Sequence, residues 1–158
     1  MTPAVNIVRQ ARLEYQIHEY AHAVASESYG LEAAEKLGVS PQRVFKTLVV
    51  SLDNASLAVA VVPVCAMLGL KAMARAAGAK KVVLAAQVDV ERSTGYVLGG
   101  VSPLGQKKRL KTVIDVSARN HQTVYVSAGR RGLEIELAPD DLVQLVDGIF
   151  AEIGQPSA

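Results

Sequence analysis

Two runs dense in valine and leucine, Val44 to Leu52 and Leu57 to Val62, lie on either side of Asp53-Asn54. Asp and Asn tolerate the left-handed backbone of a tight turn, so this pattern predicts a buried β-hairpin at the centre of the fold. The apolar character continues to Leu70, a 14-residue stretch broken by Pro63 and Gly69. A membrane span needs about 20 apolar residues, so the stretch belongs to a core and no membrane contact is expected. The remaining elements must pack around this hairpin.

Thr2-Pro3 reads as an N-cap followed by proline in the first helical turn, with Val5, Val8 and Leu13 marking an apolar stripe and the helix ending near Arg12. Tyr15 to Tyr20 is a short strand. Leu31 to Leu37 is a helix stopped by Gly38, and Ser40-Pro41 opens a turn or short helix. Past the hairpin, Leu70 to Ala77 is a helix closed by Gly78, Lys81 to Leu84 a strand, Gln87 to Ser93 a short helix and Gly99 to Gly105 a loop. Thr112 to Val116, Thr123 to Ser127 and Leu133 to Leu137 are strands. Pro139 starts a last amphipathic helix with Leu142, Leu145, Val146 and Ile149 on one face and Asp140 and Asp141 at its positive end. Six or seven strands without a regular βαβ rhythm predict an α+β fold, a mixed sheet or partly closed barrel flanked by helices.

The 158 residues suit one domain spanning 1–158, and no linker or repeat divides them. One Cys and no long apolar segment ahead of Arg9, Arg12 and Glu14 predict a reduced, cytoplasmic protein without a signal peptide. A net charge of +2, from 17 basic and 15 acidic residues, argues against a general nucleic-acid or DNA binder. The distribution is uneven. Lys107, Lys108, Arg109 and Lys111 fall within five positions, Arg130 and Arg131 form a pair, and acids gather from Glu27 to Glu35. The basic run is either a solvated loop or a patch for a few phosphates.

Three features could carry chemistry. Lys46 shares a strand face with Leu48, Val50 and Leu52, so its ammonium either reaches water or stands at a pocket mouth, where it could hold phosphate or steady an oxyanion. Gly99-Gly100-Val101-Ser102-Pro103-Leu104-Gly105 leaves little side-chain bulk between a ligand and the backbone amides, although such turns are also common structural devices. In Ser127 to Glu136, Glu134 and Glu136 share one strand face, for which solvation is the plain expectation. Cys65 sits in an apolar setting and is expected in the core. His18, His22 and His121 lack metal-ligand spacing, and no cofactor or metal is expected.

Taken in order, Met1-Thr-Pro-Ala-Val, Gln16-Ile-His-Glu-Tyr20, Val44-Phe-Lys46-Thr-Leu, Arg92-Ser-Thr-Gly-Tyr96, the segment Gly99 to Lys108 and the segment Ser127 to Glu136 resemble the YbaK-type Cys-tRNA(Pro) deacylases, from Met1 to about Ile153. The resemblance implies a curved, partly barrel-like sheet of six or seven strands. It implies a trans-editing hydrolase that removes cysteine from proline tRNA beside prolyl-tRNA synthetase, the substrate's own thiol attacking the ester. Carried onto this chain, Tyr20, Lys46, Gly99, Ser127 and Glu134 are the key positions, and Glu134 stands where the family usually has Asp. The expected roles are catalysis at Lys46 and at the Gly99 and Gly100 amides, and aminoacyl contacts at Tyr20, Ser102, Ser127 and Glu134. Acceptor-stem contacts are expected at Lys107, Lys108, Arg109, Lys111 and Arg131. Two other readings use the same residues: a deacylase preferring another substrate such as Ala-tRNA(Pro), and a non-catalytic module binding the tRNA 3′ end or the synthetase.

Overall fold

In the computed structural model, which describes residues 1–22 and 29–156, the hairpin stands where the valine-rich runs place it. β2 (Phe45–Leu52) and β3 (Ser56–Pro63) pair antiparallel along their whole length, and Asp53 and Asn54 turn the chain at φ +53° and +55°. Before them come α1 (Pro3–Ala11), β1 (Tyr15–Glu19) and α2 (Tyr29–Leu37), then a 3-10 turn at Pro41–Arg43. After them come β4 (Ala66–Leu68), α3 (Leu70–Ala77), β5 (Val82–Leu84) and α4 (Gln87–Thr94). The chain finishes with β6 (Lys111–Asp115), β7 (Val124–Arg130), β8 (Leu133–Leu137), α5 (Pro139–Leu145), β9 (Ile149–Ala151) and β10 (Gly154–Pro156). Thr2 caps α1 as expected: its hydroxyl accepts from the Val5 amide at 3.2 Å and donates to the Ala128 carbonyl on β7. Glu27, part of the acidic segment, lies outside the described residues.

The fold is α+β, with the strands in three ladders. The largest runs β5-β2-β3-β6-β9, a second runs β1-β8-β7, and β10 pairs with β4. The first ladder is mixed: β6 lies parallel to β3 and β9 parallel to β6, while β2, β3 and β5 are antiparallel neighbours. A parallel bridge between Val44 and Tyr125 sets β2 alongside β7. All seven strands legible in the sequence are present. The three-residue strands β4, β9 and β10 are additional.

Two expectations need correction. The last helix stops at Leu145, because Asp147 takes φ +53° and Gly148 passes so close to β6 that a Cβ there would lie 2.9 Å from the Thr112 carbonyl oxygen. Ile149 therefore leaves the helix face, joins β9 and is 49% exposed. Cys65 is exposed at the tip of the turn from β3 to β4. Pro63, with no N–H to donate, closes the β3 ladder and sends the chain outward just before it.

The core has three parts. One lies between the five- and three-stranded ladders, α1 and α5, around Val59, Val61, Ile114, Val126 and Ile135. A second packs α3 on the opposite face of the large ladder through Met73, Ala74 and Ala77. The third is smaller: Ala33 and Ala34 of α2 pack with Val44, Val64 and Tyr125 over the second face of the three-stranded ladder. That last contact creates the site.

Candidate active site

Strand geometry selects the residues that meet there. On β8, Leu133, Ile135 and Leu137 point into the main core, so Glu134 and Glu136 point the other way. Ser127 on β7 and His18 on β1 stand directly across from Glu134 in their ladders and share its face. The bridge between Val44 and Tyr125 runs parallel, so two residues further along both strands Lys46 comes alongside Ser127. The result is a row across three strands: ammonium, hydroxyl, carboxyl.

A cavity of about 300 Å³ opens over this row, lined by Tyr20, Lys46, Thr47, Gly99, Ser127 and Glu134, with Val44, Phe45, Val64 and Leu98 supplying apolar wall. Gly30 of α2 also lines it, tight against Val64, where a Cβ would sit 2.2 Å from that side chain. Lys46 is half-buried, which lowers its affinity for the proton, and it has no ion-pair partner among the described residues. The Tyr20 hydroxyl is pushed up to about 12, first by burial and then by the neighbouring Glu134, so it stays a neutral donor. The Thr47 hydroxyl is buried with no hydrogen-bond partner among the described residues. A ligand group entering the cavity can satisfy it.

The two acids of β8 part company here, against the expectation that both are solvated. Glu136 is held below the usual carboxylate range: burial raises it, but hydrogen bonds from Thr123 at 2.6 Å and His18 at 2.9 Å outweigh that, and Arg43 stands at 3.4 Å. Glu134 is only 6% exposed beneath α2, has no hydrogen-bond or ion-pair partner among the described residues, and is raised to about 8 by burial. A buried carboxyl without a partner neutralises. The unfolded carboxyl ionises near 4.5 while the folded one holds its proton to about 8, so folding weakens as pH rises between those values. Glu134→Gln removes that burden. Thermal unfolding should find the variant more stable than wild type at pH 8 and no more stable at pH 5.

The glycine loop divides its expected roles. Gly99 lines the cavity and occupies the third position of a turn, at φ +91°, in which the Gly100 amide donates to the Val97 carbonyl at 3.0 Å. The Gly100 N–H is therefore spent inside the turn and is not an oxyanion donor; Gly100 serves instead by lacking a Cβ, which would lie 2.7 Å from the Arg130 Cα. Ser102 does not line the cavity. It is fully buried, its hydroxyl accepting from the Leu104 amide at 3.1 Å and its carbonyl from the Gln106 side chain at 2.9 Å, so it shapes the loop. Ser127 does line it, and its hydroxyl accepts from the Gly129 amide at 3.2 Å where β7 bulges.

The basic residues also separate. Lys107 and Lys108 are exposed, their amides fastened to the Thr94 and Ser93 carbonyls at the end of α4. Arg109 is exposed and 3.7 Å from Asp147, and Lys111 donates to the Ala77 carbonyl at 3.0 Å. Arg131 is not part of this surface. It pairs with buried Glu32 at 3.1 Å and ties α2 to the β7–β8 turn. Thr47 and Gly30 were not singled out in the sequence; nothing local marks a threonine on a valine-rich strand or a glycine in a helix as cavity wall.

One opening thus brings together an ammonium without an ion-pair partner among the described residues, a tight glycine turn and a buried carboxyl. The chain belongs to the YbaK-type aminoacyl-tRNA editing domain family, whose aminoacyl-tRNA editing domain matches residues 27–145. It is an aminoacyl-tRNA deacylase by class. An Enterococcus faecalis protein described as "Putative Cys-tRNA(Pro)/Cys-tRNA(Cys) deacylase EbsC" is 41% identical over 155 residues, covering 96% of this chain and 92% of the relative. The crystal structure of a hypothetical protein, APE2540, superposes with a TM-score of 0.85 at 29% identity, over 97% of this chain and 99% of the other. That of a "putative trans-editing enzyme for prolyl tRNA synthetase" has the same fold, with a TM-score of 0.82 at 22% identity over 98% and 99% of the two chains. No helix among the described residues is long and apolar enough to cross a membrane.

Proposed function

We propose that this protein is a cytoplasmic trans-editing enzyme that deacylates Cys-tRNA(Pro), working beside prolyl-tRNA synthetase, with the substrate's thiol as nucleophile. The observation that carries this is the lack of an activated nucleophile among the described lining residues. Neither Thr47 nor Ser127 has a histidine, lysine or carboxylate hydrogen-bonded to its hydroxyl, and Cys65, although near enough to Lys46 to act on its charge, is exposed and does not line the cavity. The sulfur of the bound cysteine attacks its own ester carbonyl. A C–S bond forms, the bond to the ribose oxygen breaks, and the thiol proton leaves with that oxygen, giving free tRNA and a cysteine thiolactone that water opens. Attack within one molecule draws on a high effective concentration, so the protein's task is to hold the rotamer and steady the developing charge.

In this arrangement Lys46 holds the terminal phosphate or ribose, and the Gly99 turn lies against the ester. Tyr20 and Ser127 orient the aminoacyl group. Lys107, Lys108, Arg109 and Lys111 meet the acceptor stem. The homologue named for both Cys-tRNA(Pro) and Cys-tRNA(Cys) supports cysteine as the common element.

The test is a panel of Cys-, Ala- and Pro-charged tRNA(Pro) plus Cys-tRNA(Cys), each with and without the synthetase. Both cysteinyl tRNAs should be cleaved with turnover, and alanyl and prolyl tRNA(Pro) far more slowly. Cleavage of Ala-tRNA(Pro) at an equal rate would remove the thiol mechanism. Release matched one-to-one with protein would favour a binding module. Losing both Lys107 and Lys108 to alanine should flatten the dependence of log affinity for tRNA(Pro) on log salt by about 1 to 2, without moving the unfolding midpoint. Arg131→Ala should do the reverse, lowering stability by about 3 kcal/mol because a buried pair has lost its cation.

A further inference from the structure

The row Lys46, Ser127, Glu134 has a direction. Two strand spacings separate its ends, roughly 10 Å, and that is of the order of the distance across an aminoacyl ester and its ribose. The cationic end has no ion-pair partner and the carboxyl end has no polar partner at all among the described residues, yet both open into the same cavity. A buried polar group aimed into a cavity and left unpaired is costly unless a ligand completes it. Phosphate complements the Lys46 end. The complement of a carboxyl beyond a serine hydroxyl is a group rich in N–H donors.

Resting on the deacylase reading above, we infer that Glu134 receives the α-ammonium group of the bound aminoacyl ester, so that the cavity admits esters with an unblocked α-amine in one orientation only. The acyl group lies over Ser127, with its nitrogen toward β8 and its ribose toward β2. The charged groups around Glu134 allow this. His18, across β1, is turned to Glu136; Arg131 and Glu32 neutralise each other; Tyr20 is a neutral donor; Lys46 stands at the far end of the row. Because the empty site is protonated at neutral pH, the carboxyl gives up its proton to solvent when the ammonium arrives, and the ion pair replaces a neutral acid.

The probe is 3′-amino-3′-deoxyadenosine acylated with cysteine, which the enzyme cannot cleave as an ester, beside its counterpart with the α-amine replaced by hydroxyl. Isothermal titration at pH 7, in two buffers of different ionisation enthalpy, reads affinity and protons together. Wild type should bind the amine about tenfold tighter or more and release about one proton. Glu134→Gln should bind the two probes within about twofold and release none. Equal affinities in wild type, a preference that survives in Glu134→Gln, or failure of the amine probe to bind would each overturn the assignment. If wild type nevertheless deacylates Cys-tRNA(Pro), only the ammonium site is lost. If it cleaves no aminoacyl-tRNA, the deacylase reading itself fails.

Discussion

Lys46→Ala is expected to lower deacylation of Cys-tRNA(Pro) about a hundredfold or more, measured as kcat/KM under multiple turnover. The ammonium is half-buried on β2, desolvation already weakens its hold on the proton, and it has no carboxylate beside it. A charge kept at that cost and left unneutralised is available to a ligand's negative charge. The Lys46→Arg variant separates charge from shape: the cation remains, but the wide guanidinium does not match a compact ammonium inside a 300 Å³ cavity, so only partial rescue is expected. Unchanged activity in Lys46→Ala would end the proposal that this cation works on the substrate.

Gly100→Ala should damage both the fold and the site. The new Cβ would lie 2.7 Å from the Arg130 Cα and 3.2 Å from that residue's N and C, all backbone atoms of β7 that cannot swing aside. Overpacking of this kind costs about 1 to 3 kcal/mol, which for a chain of this size lowers the unfolding midpoint by roughly 3 to 10 °C. Relief can only come from moving the turn, and the turn carries Gly99, so deacylation should fall by more than the loss of folded protein explains. Gly78→Ala is the control. It has positive φ, +75°, but nothing within 4 Å of the added methyl, so it should lose about 1 kcal/mol and leave turnover unchanged.

Much of the fold was legible because local chemistry and long-range packing agree. Asp53 and Asn54 turn the hairpin, Gly38 and Gly78 end helices at positive φ, and Thr2-Pro3 starts one. The three-residue strands β4, β9 and β10 carry no such signal; each exists because a partner strand is already in place, and Ile149 is drawn out of a helical pattern by β6. The site was legible as residue types, and Tyr20, Lys46, Gly99, Ser127 and Glu134 do meet in one cavity. Their environments were not. Alternation along β8 tells which way Glu134 points but not that α2 roofs it, and a GGVSPLG loop does not disclose which amide is bonded within its own turn. Arg131 looked like Lys107 in sequence. Its burial beside Glu32 depends on a helix 99 residues away along the chain.

The bridge from Val44 to Tyr125 joins the slab bearing Lys46 to the slab bearing Glu134. Beside it, the Arg43 side chain reaches Thr123 at 2.6 Å and Glu136 at 3.4 Å across the same seam. Elsewhere the two slabs meet through side chains of the shared core, so the width of the seam is set by the bulk packed along it. Bulk added or trimmed at Val44, which also walls the cavity, would therefore reset the seam and the space left for a ligand together.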